Sequence, residues 1–455
     1  MTGLRRLALL LPVLLALTHI SSADTVDTPP GSKIIESASL SNWPQWRGPL
    51  ANGTSPKADP PLRWSETNHV RWRTALPGKG HSSPVIWGDL IFLSAAVPLG
   101  EPGPPVYDNA PGTHDNLPST QTNRFVLMAV SRRDGHIVWQ RTVREDFPHE
   151  GGHRTGSLSS SSPVTDGVHV WASFGSHGLY CFTVAGELRW KKDLGQMHTL
   201  HAHGEGSSPT LYGDSLILNW DQESDSKLYS FNKLTGAMQW VTPRDEETSW
   251  STPLVVEMEE VGKKQIIVSA TKRIRGYDFD TGSQIWECGG LARNVVASPV
   301  VSHGIVIAGN SYDWQTMLAI RLKSARGDVT GTDHVAWKLT RLTPYVPSPL
   351  LYDDTLYFLR HNQNILSRVD PQTGKPRGEP IRLPELRDIF ASPVAASGRI
   401  YITGREGMTV VVKHDAQNSL LAVNQLNDVF SASPALVDKE LYLRGERFLY
   451  CLAEE

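Results

Sequence analysis

Gly204-Glu205-Gly206-Ser207-Ser208-Pro209-Thr210-Leu211 decides how the chain is read, because its Ser-Pro step recurs along the whole length. Ser-Pro, or once Thr-Pro, followed by Val, Leu, Thr or Ala, stands at Pro84, Pro163, Pro209, Pro253, Pro299, Pro349, Pro393 and Pro434. Successive prolines are 79, 46, 44, 46, 50, 44 and 41 residues apart. Apart from the first gap, that period belongs to architectures built from stacked or radially arranged repeats.

The second copy shows the unit. Ser162-Pro163-Val164-Thr165 starts a strand and Asp166-Gly167 turns it; 168–174 alternates as a second strand. Gly175 to Gly178 leads into Leu179-Tyr180-Cys181-Phe182-Thr183, and Ala185-Gly186 into Glu187-Leu188-Arg189-Trp190-Lys191. Four short strands joined by tight Gly and Asp turns make an antiparallel meander. The first copy carries a Pro/Gly/Asn-rich insertion, about Val97 to Asn123, between its second and third strands. The fifth has a long turn from Lys323 to Asp333, and the eighth ends at its third strand, Phe448-Leu449-Tyr450-Cys451-Leu452.

An orphan strand, His69 to Leu76, precedes the first Ser-Pro, and its Trp72 sits 12 residues before Pro84, as Trp337 sits 12 before Pro349. It has the character needed to complete the eighth sheet. Four strands cannot bury a core alone, whereas a ring of such sheets closed by a strand from the other terminus leaves only short, protected edges. The expected fold is therefore all-β: an eight-bladed β-propeller of four-stranded antiparallel blades, closed by an N-terminal strand completing the last blade. In each unit Pro is tolerated at the first residue of a strand, where it fixes φ on entry, and the small Ser beside it suits strands crowding an axis. Trp72, Trp139, Trp190, Trp240, Trp286 and Trp337 supply flat apolar surface for sealing one sheet against the next. Gly378 and Ala422 stand near that slot in the sixth and seventh sheets and predict weaker seals.

Residues 1–23 read as an export signal: Arg5-Arg6, then an apolar run from Leu7 to Ile20, then small residues for cleavage near Ala23. Residues 24–61 form a linker and strap, with Trp43 and Trp46 in Asn42-Trp43-Pro44-Gln45-Trp46-Arg47-Gly48-Pro49 needing cover, and 62–455 form the propeller. Asn52-Gly53-Thr54 is formally a glycosylation sequon and is read as a turn. The expected product is exported, soluble and monomeric, periplasmic or extracellular, with no transmembrane segment. A net charge of −3 gives no field that would recruit nucleic acid or an anionic membrane. Cys181, Cys288 and Cys451 read as small buried hydrophobes, since equivalent slots of separate repeats lie too far apart to bridge.

Ser230-x-Asn232-x-x-Thr235-Gly236-x-x-x-Trp240 and Asp278-x-x-Thr281-Gly282-x-x-x-Trp286 resemble the tryptophan-docking repeat of pyrroloquinoline-quinone (PQQ) propellers. Ala129-x-Ser131-x-x-Asp134-Gly135-x-x-x-Trp139 is a looser copy, and Asp370-x-x-Thr373-Gly374 lacks its Trp. The Trp43-to-Pro49 head is similar to that of exported bacterial PQQ-binding-like repeat proteins, common in Planctomycetes and related phyla. The resemblance implies one of two classes: quinoprotein dehydrogenases holding PQQ and Ca²⁺ on the axis, or non-enzymatic scaffolds like BamB. This chain has no vicinal cysteine pair, no Cys-x-x-Cys-His haem motif and only one sizeable insertion, so no cofactor is firmly expected and PQQ with Ca²⁺ is disfavoured. It also lacks the Cys that would anchor a lipid at the mature N-terminus.

In such a ring the loops before each first strand open onto one mouth of the channel. His81, His203, Glu205, Trp250, Arg293, Asn294, Tyr345 and Arg387 lie there and are the candidate ligand-binding residues. His198-x-x-His201-x-His203-x-Glu205 has metal-ligand residue types, with His201, His203 and Glu205 the candidates; His81 and His149-Glu150-x-x-His153 are neighbours for a shared site. No nucleophile elbow, P-loop or HExxH motif occurs, so no catalytic residue is assigned. The expected function is a non-catalytic binding or scaffold propeller, taking an unidentified protein or small molecule at the loop face. The alternative is a PQQ/Ca²⁺-dependent oxidoreductase or a metal-dependent enzyme at the same mouth.

Overall fold

The computed structural model describes residues 38–108, 110–258 and 263–454. The proposed signal segment and most of the linker lie outside them. Among the described residues eight sheets follow one another around an axis, each an antiparallel meander that runs outward in chain order except where the outermost strand of the eighth comes from the N-terminal side. In the second blade the strands are Val164–Thr165, His169–Ser173, Leu179–Thr183 and Leu188–Lys192, close to the sequence reading. The eighth blade consists of Ala435–Val437, Glu440–Arg444 and Phe448–Ala453, completed by Val70–Ala75, with Trp72 opposite Cys451. The expected ring closure is borne out. Among the described residues the only helical pieces are three single 3-10 turns, and no helix is long and apolar enough to cross a membrane.

The recurring Ser has a function beyond being small. Each backbone N–H preceding the Pro donates to the hydroxyl of the equivalent residue one blade on. The chain of bonds runs Ser83 to Ser162 (2.9 Å), Ser162 to Ser208 (2.9 Å), Ser208 to Thr252 (3.2 Å) and Thr252 to Ser298 (2.8 Å). It continues through Ser348, Ser392 and Ser433, each at 2.9 Å, and returns to Ser83 at 3.1 Å. Pro cannot donate, so the preceding residue supplies the amide that links blade to blade.

The outer seals are also regular. The indole N–H of Trp72, Trp139, Trp190, Trp240 and Trp337 donates to a carbonyl in the last turn of the next blade, respectively Arg132, Val184, Lys233, Phe279 and Pro371, at 2.9–3.1 Å. The ring lies against that turn's glycine. At Gly282 (φ +71°) a Cβ would come within 2.4 Å of Trp240, so the Gly of the repeat's turn is a steric requirement of the preceding blade's indole.

Three junctions depart from this pattern. Trp286 faces a fifth blade whose turn is replaced by the 323–333 segment. That segment instead adds Gly327–Asp328 as a parallel fifth strand on the fourth blade, and Trp286 donates to Gln265 within its own blade at 2.8 Å. In the sixth blade Arg368 replaces the missing Trp, donating to the carbonyls of Asp415 and Ala416 and to Asn418 Oδ1 of the next blade. At the seventh, beside Ala422, Trp64 from the N-terminal segment stacks on Tyr401, and its amide donates to Asn424 Oδ1 at 2.9 Å. The two weak seals expected at Gly378 and Ala422 are thus filled by residues from outside the slot.

The strap crosses the end of the axis opposite the connecting loops. Trp43 pairs with Ile86 in the first blade, Pro44 O accepts from Thr165 in the second, and Gly53 O accepts from Ala395 in the seventh. Between them Arg47 is buried and donates to the carbonyls of Pro393 (2.9 Å), Asn52 (2.8 Å) and Pro349. The three cysteines are buried in separate blades, the second, fourth and eighth.

Candidate functional site

The loops leading into the inner strands surround a cavity of about 250 Å³ on the axis. Trp46 of the strap forms its floor, the Ser/Thr ring its lower wall, and His81, His153, His203, Trp250, Tyr345 and Phe390 its rim. Of the eight residues expected at this mouth, His81, His203, Glu205, Trp250, Asn294 and Tyr345 line the cavity. Arg293 does not; its guanidinium turns outward to Asp313, at 2.9 and 3.0 Å. Arg387 is exposed and also lies outside the lining.

Each lining group is held by its neighbours. The His81 amide donates to Ser157 Oγ and Ser159 O. Burial, with the nearby cations Lys79, Arg444 and Arg405, pushes the His81 imidazole down to about 3, so it stands neutral. Arg444 is itself enclosed, donating to Ser82 O (3.0 Å) and Ser94 O (2.7 Å) and so fixing the entry to the first blade from the eighth. Trp250 donates through its indole to Gly204 O at 2.7 Å. Its loop is anchored by a buried Arg244–Asp221 pair (2.7 Å) whose carboxylate also accepts from Ser249. Asn294, at φ +62°, donates to the Tyr345 hydroxyl at 2.9 Å, and Tyr345 stacks on His361 at 4.7 Å.

Glu205 touches the cavity wall, but its carboxylate is committed elsewhere. It accepts from the Ser176 amide at 2.7 Å and from the Ser176 hydroxyl. Gly175 leaves the space it needs: a Cβ there would overlap Glu205 Oε2 at 1.3 Å. Burial raises this carboxyl to about 7. His201 and His203 point the other way, toward the insertion. Ring centroids of His114 lie 4.9 Å from both His201 and His203, and His153 lies 4.8 Å from His203. Burial and neighbouring imidazoles hold His203 down at about 4. His198 is drawn instead to His149 and Glu150, whose candidate ligand atoms and its own lie within 4.8 Å of one another.

Several site features were not expected from sequence. These are Trp46 as floor, the 153–157 connector in the wall, Phe390, and the insertion bonded over the second connector, with Asn116 donating to His201 O (2.9 Å) and Ala202 O (2.7 Å). Only the aromatic character of Trp46 and Phe390 was a signal; their position depends on the ring.

Solved structures that share this fold include two alcohol-oxidising dehydrogenases. The quinohemoprotein alcohol dehydrogenase of Comamonas testosteroni matches with a TM-score of 0.61 at 10% identity, covering 91% of this chain and 81% of that one. A europium-containing methanol dehydrogenase matches at 0.59 and 9% identity, covering 89% of each chain. BamB from Moraxella catarrhalis matches at 0.49 and 13% identity, covering 79% of this chain and 98% of that one. Such likeness concerns the fold alone. No curated protein matches the sequence.

A Ca²⁺–quinone pair does not fit the lining. Ca²⁺ asks for carboxylate and carbonyl oxygens, and the one carboxylate there, Glu205, is taken by Ser176. A quinone bearing carboxylates asks for cations, and neither Lys nor Arg lines the cavity.

The PQQ-like family model described as outer membrane protein assembly factor BamB matches residues 123–377, more than half of the chain, and the chain belongs to that family.

Proposed function

We propose that the chain is an exported, non-catalytic binding propeller, and that the axial cavity on its loop-bearing face takes a small uncharged ligand or an inserted side chain of a partner protein. The observation that carries this reading is the character of that cavity: closed at its base by Trp46, walled by aromatic rings and hydroxyls, and lined by histidines that burial keeps neutral. Aromatic surface with a few hydrogen-bonding groups is the usual make-up of a recognition site. His81 Nε2, Asn294 Oδ1 and Ser431 Oγ, all from lining residues, are buried without a partner among the described residues. A bound group that pairs with them removes a desolvation cost of about 1–3 kcal/mol each.

A photo-crosslinker at Tyr345 tests this in periplasmic extract, with one at Lys57 beside the strap as control. Capture of a defined ligand or partner from Tyr345 but not Lys57, lost when Phe390→Glu places a charge in the cavity, supports the reading. Reconstitution with PQQ and Ca²⁺ that yields a bound-quinone spectrum and alcohol-dependent dye reduction overturns it.

A further inference from the structure

The connectors from the first to the second blade (147–163) and from the second to the third (193–209) meet at His153 and His203 in the cavity wall and again at His149, Glu150 and His198, which lie outside the cavity lining. We propose that His149, Glu150 and His198 form a binding site there for a borderline divalent cation of the Zn²⁺ kind. His198 Nδ1 and Glu150 Oε1 are 3.3 Å apart, close to the ligand–ligand edge of a tetrahedron with bonds of about 2.0 Å. The two imidazoles have centroids 5.6 Å apart and planes at 86°, so they meet edge to face and do not stack. Two imidazoles on one tetrahedral ion have centroids about 5 Å apart, which asks only a small side-chain adjustment.

The outer shell is already in place. His149 Nε2–H donates to Met197 O at 2.7 Å. This tautomer leaves the other ring nitrogen with the lone pair a metal requires, and a carbonyl partner of this kind is what orients ligating histidines generally. Glu150 is oriented by Thr199, whose hydroxyl donates to Oε2 at 2.8 Å and whose amide donates to the carboxylate at 3.2 Å. Its side chain is 11% exposed while that of His198 is 61% exposed, so the site is fixed on one side and reachable on the other. Two imidazoles and one carboxylate suit Zn²⁺ or Cu²⁺ over Mg²⁺ or Ca²⁺. Three protein ligands leave a fourth position for water or for a group on a partner. A bound ion ties together the two connectors that carry His153 and His203 to the cavity.

Full-length tag-free protein, stripped with chelator, is titrated with Zn²⁺ by calorimetry and with Co²⁺ by visible absorbance. One equivalent of Zn²⁺ and a tetrahedral Co²⁺ spectrum are expected. His198→Ala, an exposed truncation that leaves the fold intact, and Glu150→Gln are each expected to weaken Zn²⁺ at least about tenfold. The pair His201→Ala with His203→Ala is expected to leave affinity unchanged. Absence of saturable binding in the wild type overturns the assignment, as does binding that survives His198→Ala or that is lost in the His201/His203 pair.

Discussion

The backbone N–H of Ser433 donates to Ser83 Oγ at 3.1 Å, joining the last blade to the first at the axis. This bond completes the ring of eight at the axis, while at the outer edge the Val70–Ala75 strand completes the last blade by pairing with Phe448–Ala453. Ring closure is therefore made twice, once by backbone pairing and once by side-chain acceptors.

Removing one acceptor tests the inner ring. Ser433→Ala leaves the buried Ser392 amide without a partner, at an expected cost of about 1–3 kcal/mol. Ser433→Thr keeps the acceptor, as Thr252 does in its blade, and is expected to lose much less. Calorimetric melting of the two variants checks the difference.

Gly282→Ala and Gly213→Ala separate the docking contact from backbone strain. Both glycines have positive φ, +71° and +57°, but a Cβ meets Trp240 at 2.4 Å in the first and nothing within 4 Å in the second. Gly213→Ala is expected to cost about 1 kcal/mol of strain. Gly282→Ala is expected to exceed it by about 1–3 kcal/mol of steric conflict. Equal shifts in melting temperature would refute the docking role.

Arg47→Met removes the donor shared by Pro393 O, Pro349 O and Asn52 O. The expected loss is on the order of 3 kcal/mol, concentrated in the strap. Limited proteolysis should then cut within 42–64 well before the blades, and Trp46 emission should shift to the red as the cavity loses its floor.

Acid should destabilise the protein between pH 6.5 and about 4. His81, His177 and His203 are held down to about 3, 4 and 4, each chiefly by burial. The unfolded chain therefore binds more protons in that window, and the stability present above 6.5 is lost as pH falls. Glu205, raised to about 7, acts oppositely: its contribution is complete below about 4.5 and is lost as pH rises toward 7. Glu246, also raised to about 7 by burial, adds to Glu205, while burial lowers His153 and His361 as well. The depressed imidazoles outnumber the raised carboxyls, so the melting temperature should fall on acidification, and Glu205→Gln should steepen that fall. A flat profile across the window would contradict the assigned burial of these imidazoles.

The blades were legible because their signals are local. Ser-Pro, the Thr-Gly turn and the Trp that follows lie within one repeat, and strand alternation needs only neighbouring residues. The truncated eighth unit and the orphan strand around Trp72 could be matched by arithmetic alone. The loop face was legible in the same way, since loop order follows strand order, and six of the eight mouth residues line the cavity.

Partnership between repeats was a different matter. Glu205 follows His203 by two residues yet serves Ser176 in another loop, while His198 meets Glu150 across 48 residues. Arg368 and Trp64 fill seals that the Trp spacing leaves blank, and Trp286 turns inward because the fifth blade has lost its turn. The Ser-Pro step of 204–211 thus determined, by itself, how many sheets there are and where each begins, because hydrophobic period and turn chemistry act over a few residues. Which side chains meet above and below the ring was decided only in the tertiary structure. Hydrogen bonds and ligand sets depend on ångström-scale placement of connectors that the chain brings together from different blades.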